Sequence, residues 1–205
     1  MKNKAQLQND FANTCPLLLK DEQLENPYLV IMEFFSKQTL GQYRRAIDTW
    51  FQSALHEDLK HPEPESLIYF HQQIQTLLQA SYLIAHGNLK LQLNQAQTTP
   101  ELHPFHQLAE ASDPHSRADH SYAQPYWLNL TGRENPIAFL KATLSLENLK
   151  EIRLGLQQWL EDGLITHSCL ADTEAVYSFA LYQQLQQLLE ACHLLLFPQP
   201  NLMLS

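Results

Sequence analysis

Apolar residues recur at steps of three and four along most of this chain, the spacing that gathers side chains on one face of an α-helix. Val30, Ile31, Phe34 and Phe35 mark a first short helix, and Leu40, Tyr43, Ile47, Trp50, Phe51 and Leu55 mark a second. A third runs through Leu67, Phe70, Ile74, Leu77, Leu78, Ser81 and Ile84, ahead of His86 and Gly87. The same order of stripes then returns. Phe139, Leu140, Thr143 and Leu144 come first, followed by Leu149, Ile152, Leu156, Trp159, Leu160 and Leu164. Val176, Phe179, Leu185, Leu188, Leu189, Cys192 and Leu195 complete the second set before Phe197 and Pro198. Asn26 and Asn135 stand where a side chain can cap exposed amides, and Pro27 and Pro136 follow at a helical position whose N–H has no partner to lose. Gly163 is expected to close its helix in a left-handed cap. The best strand signal, the alternation over Leu89 to Leu93, fits a helix equally well.

The recurrence extends to individual residues. A shift of 109 positions lays Pro16 on Pro125, Leu19 on Leu128, Glu25-Asn26-Pro27 on Glu134-Asn135-Pro136, Arg44 on Arg153 and Trp50 on Trp159. A shift of 111 then lays His71 to Ala80 on Tyr182 to Ala191, and Leu83 on Leu194. Biased use of Gln and Leu explains part of the later match but not the paired tryptophans and Asn-Pro steps. The chain is therefore expected to be an all-α domain over residues 1–205, a six-helix bundle of two tandem, pseudo-symmetric three-helix repeats. Repeat one covers about 16–86 and repeat two about 125–197, with a long connector over 87–124. A three-helix unit of this size is marginal alone, so the copies should cover each other's apolar faces.

Composition narrows the partners. Thirteen basic against twenty-two acidic residues leave a net charge of −9, and no basic run exceeds Arg44-Arg45, which argues against nucleic acid. Apolar runs such as Leu194 to Phe197 are far too short for a membrane span, and the polar amino terminus lacks a secretory signal. Cys15, Cys169 and Cys192 are few, odd in number and far apart, which reads as reduced thiols in a cytoplasm. The expected partner is another protein or a second copy of the chain, with neither nucleic acid nor membrane involved.

Candidate chemistry is sparse. His103, His106, His115 and His120 share the connector with Glu110, Asp113 and Asp119, a donor set that suits a divalent metal such as zinc. Their irregular spacing favours a solvated polar connector, and no other cofactor is expected. Glu190 and His193 have the Glu-x-x-His spacing of di-iron bundles, yet Gln79 and Tyr82 hold the matching positions, so His193 is expected to be a hydrogen-bonded core histidine. Arg44 and Arg153 match, as do Glu25 and Glu134; an ion pair within each repeat is expected, with an anion clamp as the alternative. Trp50 and Trp159 read as core anchors, with ligand stacking as the alternative. These four, Arg44, Arg153, Trp50 and Trp159, are the candidate ligand residues.

The runs Gln72, Gln73, Gln75, Gln79 and Gln183, Gln184, Gln186, Gln187 suggest solvated faces or a self-association surface. With no Gly-x-Ser-x-Gly elbow, no phosphate-binding loop and only five glycines, no catalytic residue is nominated. The sequence thus points to a non-enzymatic helical protein working through protein contacts, as a homodimer. The rival is a small-molecule binder or enzyme with its pocket at the seam between repeats.

Overall fold

A computed structural model describes residues 16–55, 63–87, 125–164 and 172–198, and every element among them is helical. The first set comprises α1 (Asp21–Glu25), α2 (Tyr28–Lys37), α3 (Leu40–Leu55) and α4 (Pro64–His86). The second comprises α5 (Leu130–Glu134), α6 (Pro136–Thr143), α7 (Leu146–Leu164) and α8 (Asp172–Leu196). Three helices were expected in each set; a five-residue helix precedes them in both. Local hydrogen bonds shape these short pieces. The Gln23 side chain accepts the Lys20 N–H at 3.0 Å before α1, and Asn129 accepts the Gly132 N–H at 2.8 Å before α5.

Capping sets where the longer helices begin. Asn135 accepts the Ala138 N–H at 3.0 Å, as expected, whereas α2 starts from Pro27 without a side-chain cap. At α3, Thr39 and Gln42 bond reciprocally: the Thr39 N–H donates to Gln42 Oε1 at 2.8 Å and the Gln42 N–H to Thr39 Oγ1 at 3.3 Å. Ser145 caps α7 through the Asn148 N–H at 3.1 Å.

The two sets interlock. Helix α3 packs on α7 and α8, α7 packs on α4, and the short α2 and α6 each touch both long helices, α4 and α8. One cluster of buried apolar residues therefore runs through both sets. Trp50 and Trp159 meet near its middle, ring centroids 5.6 Å apart and planes at 82°. Edge-to-face pairs of this kind add about 0.5–1.5 kcal/mol beyond the area they bury. Ser81 Oγ and Cys192 Sγ lie 3.1 Å apart between α4 and α8. In both places, residues that the sequence shift superposes touch each other.

Two local expectations are corrected. Gly163 lies inside α7 rather than in a left-handed cap, and a Cβ there would sit 3.0 Å from Leu67 Cδ2 and 3.3 Å from Ser53 Oγ. Its lack of a side chain is what allows α7 to come this close. Val176 and Phe179, expected to face inward, are 74% and 49% exposed. The buried line of α8 is instead Ser178, Leu181, Leu185, Leu188 and Cys192, and the two apolar residues flank it. Cys15, Cys169, Leu89 to Leu93 and connector residues 88–124 lie outside the described residues. Among the described residues no helix is long and apolar enough to cross a membrane.

Candidate functional site

A dense cluster of buried polar groups occupies the seam between α3 and α8. Helical spacing carries Arg44 inward with Leu40, Tyr43 and Ile47. Its side chain, 1% exposed, forms an ion pair with Glu190, which is 0% exposed. Glu190 Oε1 also accepts the N–H groups of Tyr126 at 2.7 Å and Trp127 at 2.9 Å, while Oε2 accepts that of Leu128 at 2.7 Å. A carboxylate has about four acceptor positions, so three amides and one guanidinium engage nearly all of them. Such a group works as a clamp on residues 126–128, the lead-in to α5, rather than as a general base. The Tyr126 ring lies 5.8 Å from Arg44 Cζ, adding an aromatic face to the cation. Further along the seam, Asp48 Oδ1 accepts from the Tyr182 hydroxyl at 2.7 Å and from Gln186 Nε2 at 3.1 Å.

The seam between α4 and α7 is built differently from the corresponding positions. Gln79 takes the place matching Glu190 and performs the same tethering with a neutral amide. It accepts the Leu18 N–H at 2.9 Å and donates to the Pro16 carbonyl at 2.7 Å. Arg153 matches Arg44, but its buried Nη1 has no hydrogen-bond partner. The expected link to Glu134 is not made, because Glu134 points into solvent. His71 lies 3.2 Å from Gln75 through Nε2. Burial first, and the Arg153 charge second, hold the His71 imidazole below its usual pKa of 6.5. Gln75 Oε1 is likewise buried without a partner.

The four candidate ligand residues thus occupy three settings. Arg44 is engaged by Glu190, Arg153 stands on the opposite seam, and Trp50 and Trp159 lie in the core with indole N–H groups that are buried and unbonded. The candidate metal ligands His103, His106, His115 and His120 lie outside the described residues. Among the described residues no group of three or more His, Cys, Asp or Glu is placed to hold a metal. His193 departs from expectation: its buried Nδ1 makes no hydrogen bond, and its ring contacts Phe35 at 5.3 Å and Phe197 at 4.9 Å. Burial chiefly, with the Arg44 charge, pushes its pKa down to about 4. Burial raises the Cys192 thiol to about 12, partly offset by its bond to Ser81.

The glutamines are less exposed than expected, with Gln75, Gln79 and Gln186 all buried. A depression of about 250 Å³ beside Lys37, Tyr43, Tyr69 and Phe70 belongs to the first set alone. Its Lys37 ammonium is already bonded to Glu33 at 3.1 Å and to the Tyr69 hydroxyl at 3.2 Å. Comparison of the chain with protein-family models, curated proteins and solved structures gives no significant match.

Proposed function

We propose that the chain is a duplicated helical protein of the cytoplasm, non-enzymatic, that works through protein contacts by pairing with a second copy. Matched contact partners support the duplication: Trp50 with Trp159 and Ser81 with Cys192 each join positions related by the sequence shift. The observation that carries the functional reading is a difference between the halves at their surfaces. Where the first half has Arg45, Glu65 and Ser66, the second has Leu154, Val176 and Tyr177. Leu154 is 70% exposed and Val176 74%, and the Tyr177 hydroxyl bonds the Glu151 carbonyl at 2.9 Å, which brings the two helices together there. Replacement of charge by apolar surface is the pattern found at interface centres. In this reading the halves share a scaffold, and the second has acquired the contact face.

Exchanging first-half residues into that face tests the reading. Leu154→Arg with Val176→Glu alters only exposed positions, so the monomer's fold should be kept and the thermal midpoint, measured well below dimerising concentration, should stay unchanged. Wild type should sediment as a dimer at about 100 μM, a concentration that saturates a micromolar interface, and the double variant as a monomer. A monomeric wild type, or a double variant that still dimerises, refutes the proposal.

A further inference from the structure

We infer that the α4–α7 seam takes up a small carboxylate anion, which the Arg153 guanidinium binds as Arg44 binds Glu190 on the other seam. The choice of a carboxylate rests on the duplication reading; the unbonded Arg153 Nη1 is observed independently of it. Beside Arg44 the structure supplies a carboxylate from α8, together with Asp48 further along the seam. At the positions that the sequence shift matches to Glu190 and Asp48 stand Gln79 and Gln157, and Gln157 is turned to Glu161 at 2.9 Å. Among the described residues no carboxylate pairs with Arg153.

A half-buried cation with an unbonded nitrogen has lost hydration without gaining a counter-charge, so an anion arriving there restores what the internal acid supplies opposite. The planar guanidinium fork matches the two oxygens of a carboxylate, and one cation calls for one negative charge. Gln75 can assist. Its amide, turned end for end, would accept a proton from His71 through Oε1 and leave Nε2 free as a second donor.

The test is a titration of the full ¹⁵N-labelled chain with sodium acetate, against sodium chloride at equal ionic strength, following the Arg153 Nε–H and His71 ring signals. A saturable, carboxylate-specific shift in the millimolar range is expected, weakened at least about tenfold in Arg153→Met and in Gln79→Glu. The second variant keeps Arg153 and supplies an internal competitor, and the wild-type shift at the Arg153 Nε–H reports the site directly even if the first variant folds poorly. Arg45→Met, on the surface of α3, should titrate as wild type. Absence of a saturable shift at Arg153 in the wild type, or the same His71 shift in Arg153→Met, overturns the inference. Binding that is lost in Arg153→Met yet kept in Gln79→Glu supports the anion site and instead counts against the duplication-based match.

Discussion

Glu190→Gln isolates the electrostatic part of the α3–α8 clamp. The amide is nearly the same size and keeps an oxygen for the amides of residues 126–128, but Arg44, at 1% exposure, loses its counter-charge. Gln79 shows that a neutral amide can tether the matching segment, through Leu18 and Pro16. Most of the loss should therefore come from the stranded guanidinium. Breaking a buried pair on one side costs about 3–5 kcal/mol, and the weakened amide bonds overlap with that figure rather than adding to it. At about 2–4 °C per kcal/mol for a chain of this size, the thermal midpoint should fall by roughly 10 °C. In urea, the circular dichroism midpoint should drop with an unchanged slope. Combining Glu190→Gln with Arg44→Met removes both charges and should return stability to within about 1–2 kcal/mol of wild type. A single variant that loses less than about 1 kcal/mol, or a double variant no better than the single, would refute the electrostatic account.

Two further predictions concern the same core. The unfolded His193 imidazole takes a proton below about 6.5 and the folded one only near 4, so its contribution is complete above 6.5 and drains away as pH falls through that window. The shift corresponds to about 3 kcal/mol, and His193→Tyr, which copies Tyr82 at the matching position, should flatten the acid side of the stability profile measured by urea denaturation; an unaltered profile would count against this assignment. Ser81→Cys, in a chain with Cys15 and Cys169 changed to Ser, should form a disulfide with Cys192 on mild oxidation, because the present side-chain atoms are 3.1 Å apart. Non-reducing gels of proteolysed protein should show the two halves linked, and free thiols after oxidation would place α4 and α8 in the wrong register.

Helical periodicity made the six longer helices legible, because each places an apolar residue on one face at every turn. It could not reveal α1 or α5, which are too short to complete a period and depend on Gln23 and Asn129. The inward position of Trp50 and Trp159 was readable for the same local reason, but the clamp was not. Glu190 suggested a pair with His193 one turn away, whereas its partner Arg44 is distant in sequence and its amide donors lie in an irregular segment. One signal was present: with Gln79 at the position matching Glu190, the site is charged in one half only. Val176 and Phe179 fit the apolar pattern of α8 but flank the line occupied by Ser178, since composition alone cannot distinguish a core residue from an exposed apolar one.

The interlocked packing also bears on how the chain is made. Helix α3 leaves the ribosome complete at Leu55, but its main surfaces await α7 and α8, the last of which ends at Leu196. At synthesis rates of about 5–20 residues per second, the nascent stripe around Ile47 and Trp50 lacks its α7 and α8 partners until roughly 7–30 seconds have passed. Closure of the core is thereby postponed until α8 has been made, and the growing polypeptide would be a natural client for chaperones that shelter greasy helices.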